Sequence, residues 1–380
     1  MNARRGTVIA GGGTGGHVVP SLQVARAMVA RGHDPGSVEL FGSRRGHEAT
    51  TWPSLEFPYT LLPGRGIRRS VRPAALVANL GAVLGLLWAC VRAAGSFARR
   101  RPRVVVIVGG YASFPAGIAA LLTRVPVVSV TTDAVPGAVN GLLGRFAAAN
   151  AVAFEGTDLP RAHLTGTPVR PELSELDRSA EGRRAGRDAL GLPPDRETVT
   201  AMGGSLGALR INRAVADMAR SWADDADRAV YHVTGRRDYD QFSWPASGAG
   251  AAGGARTGLW YEVVPFEERM PQLYAAADVC VSRAGAMSVA ELLITGVPAI
   301  LVPLPGAPRD HQTRNAEALV ALGAAVHVPD PECNGERLVK ELDALLADPG
   351  RLEAMGAAAR RHAHPDAAAR IAELVDSHAR

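Results

Sequence analysis

The chain begins its ordered pattern with Thr7-Val8-Ile9-Ala10-Gly11-Gly12-Gly13-Thr14-Gly15-Gly16-His17, and a counterpart appears mid-chain as Thr198-Val199-Thr200-Ala201-Met202-Gly203-Gly204-Ser205-Leu206-Gly207-Ala208. Each stretch reads as a short apolar strand, a glycine turn and the opening of a helix. Glycine lets the backbone turn tightly and lets a ligand touch bare amides. The helix that follows adds free N–H groups and a partial positive charge, which together favour a phosphate. One such turn is a weak signal. One in each half of the chain predicts paired nucleotide-type domains facing a shared cleft.

Length and composition agree with that division. A chain of 380 residues exceeds what a single core usually holds, and 47% hydrophobic residues are too many for disorder. Cys90, Cys280 and Cys333 are scattered without a C-x-x-C pair, the pattern of a reducing cytosol without structural disulfides. The first residues run straight into a strand pattern, so no signal peptide is expected. The net charge of +5 is carried almost wholly by arginine, Lys340 being the only lysine. Such a balance suits nucleic acid, an anionic membrane surface or a phosphorylated substrate. Aromatic residues are 5% and do not interleave with the arginines, so no nucleic-acid partner is expected.

Strand candidates at Thr7–Ala10, Val38–Phe41, Val104–Val108, Val125–Val130 and Ala151–Phe154 alternate with helical stretches. The alternation restarts with Thr198–Met202, Ala229–Thr234, Leu259–Val264, Val279–Ser282, Ala299–Pro303 and Ala324–Val328. Strand–helix alternation of this kind predicts an α/β protein with two doubly wound parallel sheets. Gly166-Thr167-Pro168-Val169-Arg170-Pro171 reads as an extended linker, because both prolines resist helix. Ser247–Gly254, almost all Gly and Ala, reads as a surface loop, and the pattern from about Glu336 onward is helical with a break near Pro365. The expected division is 1–165, 166–345, and a closing segment 346–380 whose helices pack back on the first domain.

From Ala74 to Val91 only Asn79 is polar, with arginines on both flanks. The segment reaches the length of a membrane span, yet it is rich in Ala and Gly and repeats its larger residues at helical spacing. Three readings stand: a buried helix, an interfacial helix on anionic lipid, and a span.

Taken alone, Gly11-x-Gly13-x-x-Gly16 fits a dinucleotide fingerprint. Arg44 and Arg45, at the end of the second strand where a ribose-binding acid is expected, would select the 2′-phosphorylated cofactor, which makes an NADP-linked oxidoreductase the alternative class. Later, Ser282-Arg283-Ala284-Gly285-Ala286-Met287-Ser288-Val289-Ala290-Glu291 places a carboxylate on the first turns of a helix. Glu291 there either accepts the hydroxyls of a ribose or complements the helix dipole. Asp310 reads as a helix cap, with His311 and Gln312 at a helix start where open α/β sheets bind ligands. The single Asp-x-Asp, at Asp238 and Asp240, reads as a solvated helix start and not a metal site.

As a set, Gly11–Pro20, Gly109-Gly110-Tyr111, Gly166-x-Pro168-Val169-Arg170, Gly203-Gly204-Ser205-x-Gly207-Ala208, Arg283-x-Gly285-Ala286 through Glu291, and Asp310-His311-Gln312-x-x-Asn315-Ala316 resemble the MurG family. These are GT-B-fold glycosyltransferases of peptidoglycan synthesis, and the motifs occur in family order. The resemblance implies transfer of N-acetylglucosamine from its UDP donor to lipid I at the cytoplasmic face of the membrane, with no metal and no cofactor. It places Thr14, Gly15 and Gly16 against the donor on the first-domain side, and Arg170, Gly204 and Ser205 on the diphosphate. It also assigns the amides of Ala286, Met287 and Ser288 to the diphosphate turn, Val289 and Ala290 to the donor site, Glu291 to the ribose, and His311 and Gln312 to the sugar. Val264-Pro265-Phe266-Glu267 resembles the uracil-binding edge, although an apolar residue is usual at Glu267. Gly110, Tyr111 and Asn140 fall on the acceptor side. A base must take the acceptor's proton. His17 is the first candidate, its other reading being a helix-start histidine that binds the loop or a phosphate. Where the family carries His-Glu-Gln-Asn, this chain has Val130-Thr131-Thr132-Asp133; Asp133 is then a donor ligand or an assisting base, and the acceptor contacts are altered. The basic, apolar Ala74–Val91 region suits an anionic inner-membrane surface, where lipid I resides.

Overall fold

The computed structural model describes residues 6–46, 48–63, 73–204, 207–242 and 258–380, with backbone alone for 73–80. The chain divides into one unit made of Met1–Arg170 with His364–Arg380, and a second made of Pro171–Ala363. Those boundaries compare with the expected 165/166 and 345/346.

In the first unit, strands β1 (Thr7–Gly11), β2 (Val38–Ser43), β3 (Tyr59–Leu62), β4 (Val104–Gly109), β5 (Val127–Thr131), β6 (Ala149–Val152) and β7 (Ala162–Leu164) form a parallel sheet in the order β3-β2-β1-β4-β5-β6-β7. Its connections carry α1 (Gly15–Ala30), α2 (Glu48–Thr51), α3 (Pro73–Arg100), α4 (Ser113–Leu122) and α5 (Ala138–Leu143). Both faces of this sheet are covered, so its central strands are apolar without interruption. Ile9, Leu40, Val106 and Val128 face one core with Trp52 and Met28, while Val8, Phe41, Val105 and Ile107 face the other with Phe97 and Ala116. Strands β3 and β7 were not legible in sequence, because short edge strands with partly exposed residues carry little apolar alternation.

In the second unit, β8 (Glu197–Met202), β9 (Arg228–Val233), β10 (Trp260–Val264), β11 (Val279–Ser282), β12 (Ala299–Leu301) and β13 (Ala325–His327) run parallel in the order β10-β9-β8-β11-β12-β13. The helices are α6 (Pro171–Ser174), α7 (Ala180–Leu190), α8 (Leu209–Ser221), α9 (Tyr239–Phe242), α10 (Met270–Ala276), α11 (Ala286–Thr295), α12 (His311–Ala321), α13 (Gly335–Leu346) and α14 (Pro349–Arg361). The closing segment splits between the units. Helix α14 stays in the second, where Met355 joins its core and Gly356 lies against Gly296. Helix α15 (Ala367–His378) belongs to the first, burying Ile371, Ala372 and Val375 in the core with Ile9 and Met28. Asp376 accepts from Arg31 Nε and contacts His33 Nε2, both at 2.8 Å, which fastens α15 to the end of α1.

Helix α3 is buried on one side only. Ala82, Ala89, Ala93 and Phe97 are covered, whereas Leu84, Leu87, Trp88 and Val91 are 57–61% exposed. A wholly buried helix therefore does not describe Ala74–Val91: small residues meet the protein and the large apolar ones face outward. The flanking arginines before it and the Gly/Ala stretch Ser247–Gly254 lie outside the described residues.

The two crossings between units meet at Gly166, whose φ is +81° and where an added Cβ would stand 2.4 Å from His364 Cβ. Gly166→Ala combines a left-handed conformation with a clash against the His364 side chain and should lower stability by about 2–4 kcal/mol. Urea unfolding followed by circular dichroism measures this, and an unchanged midpoint would contradict the packing described.

Candidate active site

In both sheets the strand order reverses beside the first strand of the unit, between β1 and β4 and between β8 and β11. Open α/β sheets bind ligands outside the carboxyl ends of their strands at such a reversal, where successive loops diverge and leave a crevice. Both glycine turns lie there, one following β1 and the other β8. The loops after β4 and β11 hold Gly109-Gly110-Tyr111 and Ala284-Gly285-Ala286.

At the first reversal, backbone approach is very close. A Cβ on Gly110 (φ +78°) would fall 1.9 Å from Gly12 O, so only glycine lets these two loops touch. The His17 ring lies against Gly109, where a Cβ would stand 2.7 Å from Cδ2 and Nε2, and His17 Nδ1 is 3.4 Å from Thr14 Oγ1. Thr14 is exposed, while Gly15, Gly16 and His17 are half-buried. Tyr111 donates its hydroxyl to Pro63 O at 2.8 Å, and burial raises its pKa. Asn140 is buried and donates from Nδ2 to Val130 O at 2.7 Å and to Thr131 Oγ1 at 3.2 Å. Its Oδ1 is buried and has no hydrogen-bond partner among the described residues. Thr131 and Thr132 are buried, Asp133 is half-buried beside them, and Arg170 is half-buried at the end of the unit.

The first turn also holds its own anion. Glu48 is fully buried and accepts from Gly13 N at 3.2 and 2.9 Å and from Ser43 N at 2.7 Å. A Cβ on Gly12 or Gly46 would fall 2.1 Å from that carboxylate. An amide that a dinucleotide reading assigns to a pyrophosphate is thus committed to a side chain.

The second reversal differs. Helix α11 starts at Ala286 behind Gly285, which has extended backbone angles and no side-chain cap. The amides of Ala286, Met287 and Ser288 are the first-turn donors that a helix cannot satisfy itself. Val289 gives its amide to Gly285 O at 3.0 Å, and its side chain is buried in the interior. Ala290 is half-buried one residue further along. Glu291, 9% exposed, accepts from Tyr274 Oη at 2.8 Å. Gln312 accepts from Leu304 N through Oε1 at 2.9 Å, which leaves its amide nitrogen as the donor end, and His311 Nδ1 is 2.9 Å from Pro308 O. Phe266 is exposed, with the Arg236 guanidinium 5.0 Å from its ring centroid. Gly204 has φ +78°, and Ser205 lies outside the described residues.

Family models agree with this arrangement. The N-terminal domain of glycosyltransferase family 28 matches residues 7–152, and its C-terminal domain matches 198–371. A UDP-N-acetylglucosamine--N-acetylmuramyl-(pentapeptide) pyrophosphoryl-undecaprenol N-acetylglucosamine transferase of Alkalilimnicola ehrlichii is 39% identical over 98% of this chain and 99% of its own. The chain belongs to the MurG family. A Nocardioides relative with the same name is 39% identical over 97% of this chain and 96% of its own. The crystal structure of MurG from Acinetobacter baumannii superposes with a TM-score of 0.77 at 28% identity, covering 98% and 99% of the two chains. Membership in a family of GT-B glycosyltransferases replaces the oxidoreductase alternative.

For several residues around this MurG-family site, motif position alone did not give the partners that the fold supplies. Arg283 is buried and donates from Nη1 to Val302 O, Pro303 O and Asp330 Oδ1 at 3.1, 3.0 and 2.6 Å, while Arg210 Nε meets Asp330 Oδ2 at 2.8 Å. Asn315 Nδ2 reaches Ala284 O at 3.0 Å. Together they clamp the turn before α11. Glu267 is turned inward: its carboxylate accepts from Tyr231 Oη and from Arg269 N at 2.7 Å, and these bonds hold its pKa below the usual range despite burial. The buried Glu267 carboxylate thus pairs with an Arg269 whose side chain is 51% exposed. Asp238 is buried too, not solvated, and takes a bond from Asn212 Nδ2 at 3.3 Å. Asn212 in turn contacts His232 Nε2 at 3.0 Å, and Tyr261 Oη contacts Nδ1 at 2.8 Å.

Burial pushes the His232 pKa from 6.5 down to about 3, so the folded protein keeps it neutral. The unfolded chain takes up a proton as pH falls through 6.5 and the folded chain does not, so stability is lost from there downward. The slope approaches about 1.4 kcal/mol per pH unit. Urea midpoints at pH 7 and pH 5 should fall further in the parent than in His232→Gln; equal falls would refute the assignment.

Proposed function

We propose that this protein transfers N-acetylglucosamine from UDP-N-acetylglucosamine to lipid I, the undecaprenyl-pyrophosphoryl-N-acetylmuramoyl-pentapeptide, and forms lipid II with inversion. The observation that carries the reading is the uncapped N-terminus of α11 beside Glu291, at the switch point of the second sheet, in a chain of the MurG family. An acceptor hydroxyl attacks the anomeric carbon, its proton passes to a base, and the bond to UDP breaks with its electrons going to the diphosphate. Charge therefore grows on the departing phosphates. The amides of Ala286, Met287 and Ser288 are fixed in place before that charge appears, and such preorganised donors stabilise a leaving anion more than mobile water does. Arg170 and the Gly204–Ser205 turn supply the remaining diphosphate contacts in this reading. Glu291 takes the ribose, Phe266 lies at the base edge, and Gln312 with His311 lies at the sugar.

From the first unit, Thr14, Gly15 and Gly16 contact the donor in this reading, and Gly110, Tyr111 and Asn140 serve the acceptor. His17 is the base and Asp133 assists or binds donor. Under this assignment His17→Ala should cut turnover by about a hundredfold or more while the affinity for UDP-N-acetylglucosamine measured by calorimetry changes less than threefold. Lost donor binding with turnover preserved at saturation would instead make His17 a loop or phosphate ligand. A second acceptor class is favoured by one feature, the buried Val130-Thr131-Thr132 in place of the family's His-Glu-Gln. Turnover with a short-chain lipid I analogue separates the two acceptors.

Lipid I is membrane-bound, so its enzyme works at the cytoplasmic face of the membrane. The outward face of α3, Leu84, Leu87, Trp88 and Val91, supports docking on anionic lipid, with exposed Arg92, Arg99 and Arg101 close by in sequence. Leu87→Glu with Trp88→Glu should reduce co-sedimentation with vesicles containing anionic lipid by about tenfold without lowering the melting temperature. Undiminished sedimentation would remove this helix from the docking surface.

A further inference from the structure

Two buried side chains on different helices meet beneath the second switch point. Tyr274, fully buried in α10, donates its hydroxyl to Glu291 Oε2 at 2.8 Å, and Glu291 projects from α11 with 9% exposure. Tyr274 is itself held hard: Arg178 Nη1 donates to the carbonyls of Tyr274 at 2.8 Å and Ala275 at 3.1 Å, and also to that of Ala277. Burial lowers the Arg178 pKa from 12.5 to about 10, which still leaves the guanidinium charged at neutral pH. A glutamate has three side-chain torsions to restrain, and a hydroxyl donating to an ionised carboxylate is among the stronger hydrogen bonds.

We infer that Tyr274 is a positioning residue for donor recognition: it fixes the Glu291 carboxylate in the orientation that receives the ribose hydroxyls of a uridine diphosphate. The inference rests on Glu291 being the ribose ligand. A carboxylate offers about four lone-pair directions, more than a single tyrosine bond uses. The tyrosine acts through Glu291 and touches neither the sugar nor the phosphates. Its loss removes preorganisation and not the ligand itself, so the effect falls on donor binding rather than on the chemical step.

The test is calorimetric titration of the full chain with UDP and with 2′-deoxy-UDP, paired with donor kinetics. The parent should prefer UDP by roughly tenfold or more, the margin of a hydrogen bond to a charged group. Tyr274→Phe keeps the ring and removes only the donor. It should weaken UDP binding by about fivefold to tenfold, shift 2′-deoxy-UDP by less than twofold, raise the donor KM in step and leave kcat within threefold. Introduced into Glu291→Gln, the same change should have no further effect on UDP binding, which distinguishes positioning from a general loosening of the core. An unaltered preference for UDP in Tyr274→Phe, or an equal loss in both backgrounds, overturns the inference. A parent that does not distinguish the two nucleotides overturns the ribose role of Glu291 first and this inference with it. Should Tyr274→Phe fail to fold, Glu291→Asp provides the second measurement. It withdraws the carboxylate from the hydroxyl, and retention of the parental UDP preference there would equally refute the assignment.

Discussion

Peptide N–H groups with no partner inside their own helix are the constraint on which this molecule turns. A parallel sheet whose strand order reverses sends two loops apart, and the helices that follow begin in the gap. Their first-turn amides must be satisfied by a side chain, by water or by a ligand. At the first reversal Glu48, buried, binds Gly13 N in the loop ahead of α1, whose cap Thr14 makes no side-chain bond to the first turn. At the second, the amides of α11 have no capping side chain, since Gly285 offers none. Both helices thus begin without a side-chain cap, and in the first unit the loop ahead of α1 is braced by a buried carboxylate as well.

Around those amides the polar interior is arranged as bracing. Arg283, Asp330 and Asn315 fix the turn before α11, and Tyr231 with Arg269 neutralises the inward carboxylate of Glu267. Buried charges persist only when paired and hydrogen-bonded in this way. The Tyr261–His232–Asn212–Asp238 chain lies beside the glycine turn after β8, where a Cβ on Gly207 would fall 2.4 Å from Thr234 O. Close backbone approach at Gly207 and a hydrogen-bonded polar chain thus occur side by side at this end of the sheet.

Much of this could be read in advance. Continuous apolar runs such as Val104–Val108 are what a strand buried on both faces requires, and their alternation with helices identified the parallel sheets. The glycine turns and the Arg283–Glu291 and Asp310–Ala316 stretches carried the family resemblance because their chemistry is local in sequence. Edge strands β3 and β7 escaped, since their place is set by a neighbour's ladder and not by their own pattern. The split of the closing helices between the units escaped as well: the helical pattern runs through both, and only the core each one fills tells them apart.

By itself the sequence determined the fold class, the two glycine turns and the transferase family, because strand periodicity, glycine spacing and motif order are properties of neighbouring residues. Tertiary structure decided which amides are free. Glu48 lies 35 residues from Gly13, and Tyr274 lies 17 from Glu291 on another helix. It also decided that Val289 faces the core and that the large apolar residues of α3 face outward. Burial and hydrogen-bond partnership depend on what the folded chain brings together, and no local pattern encodes that.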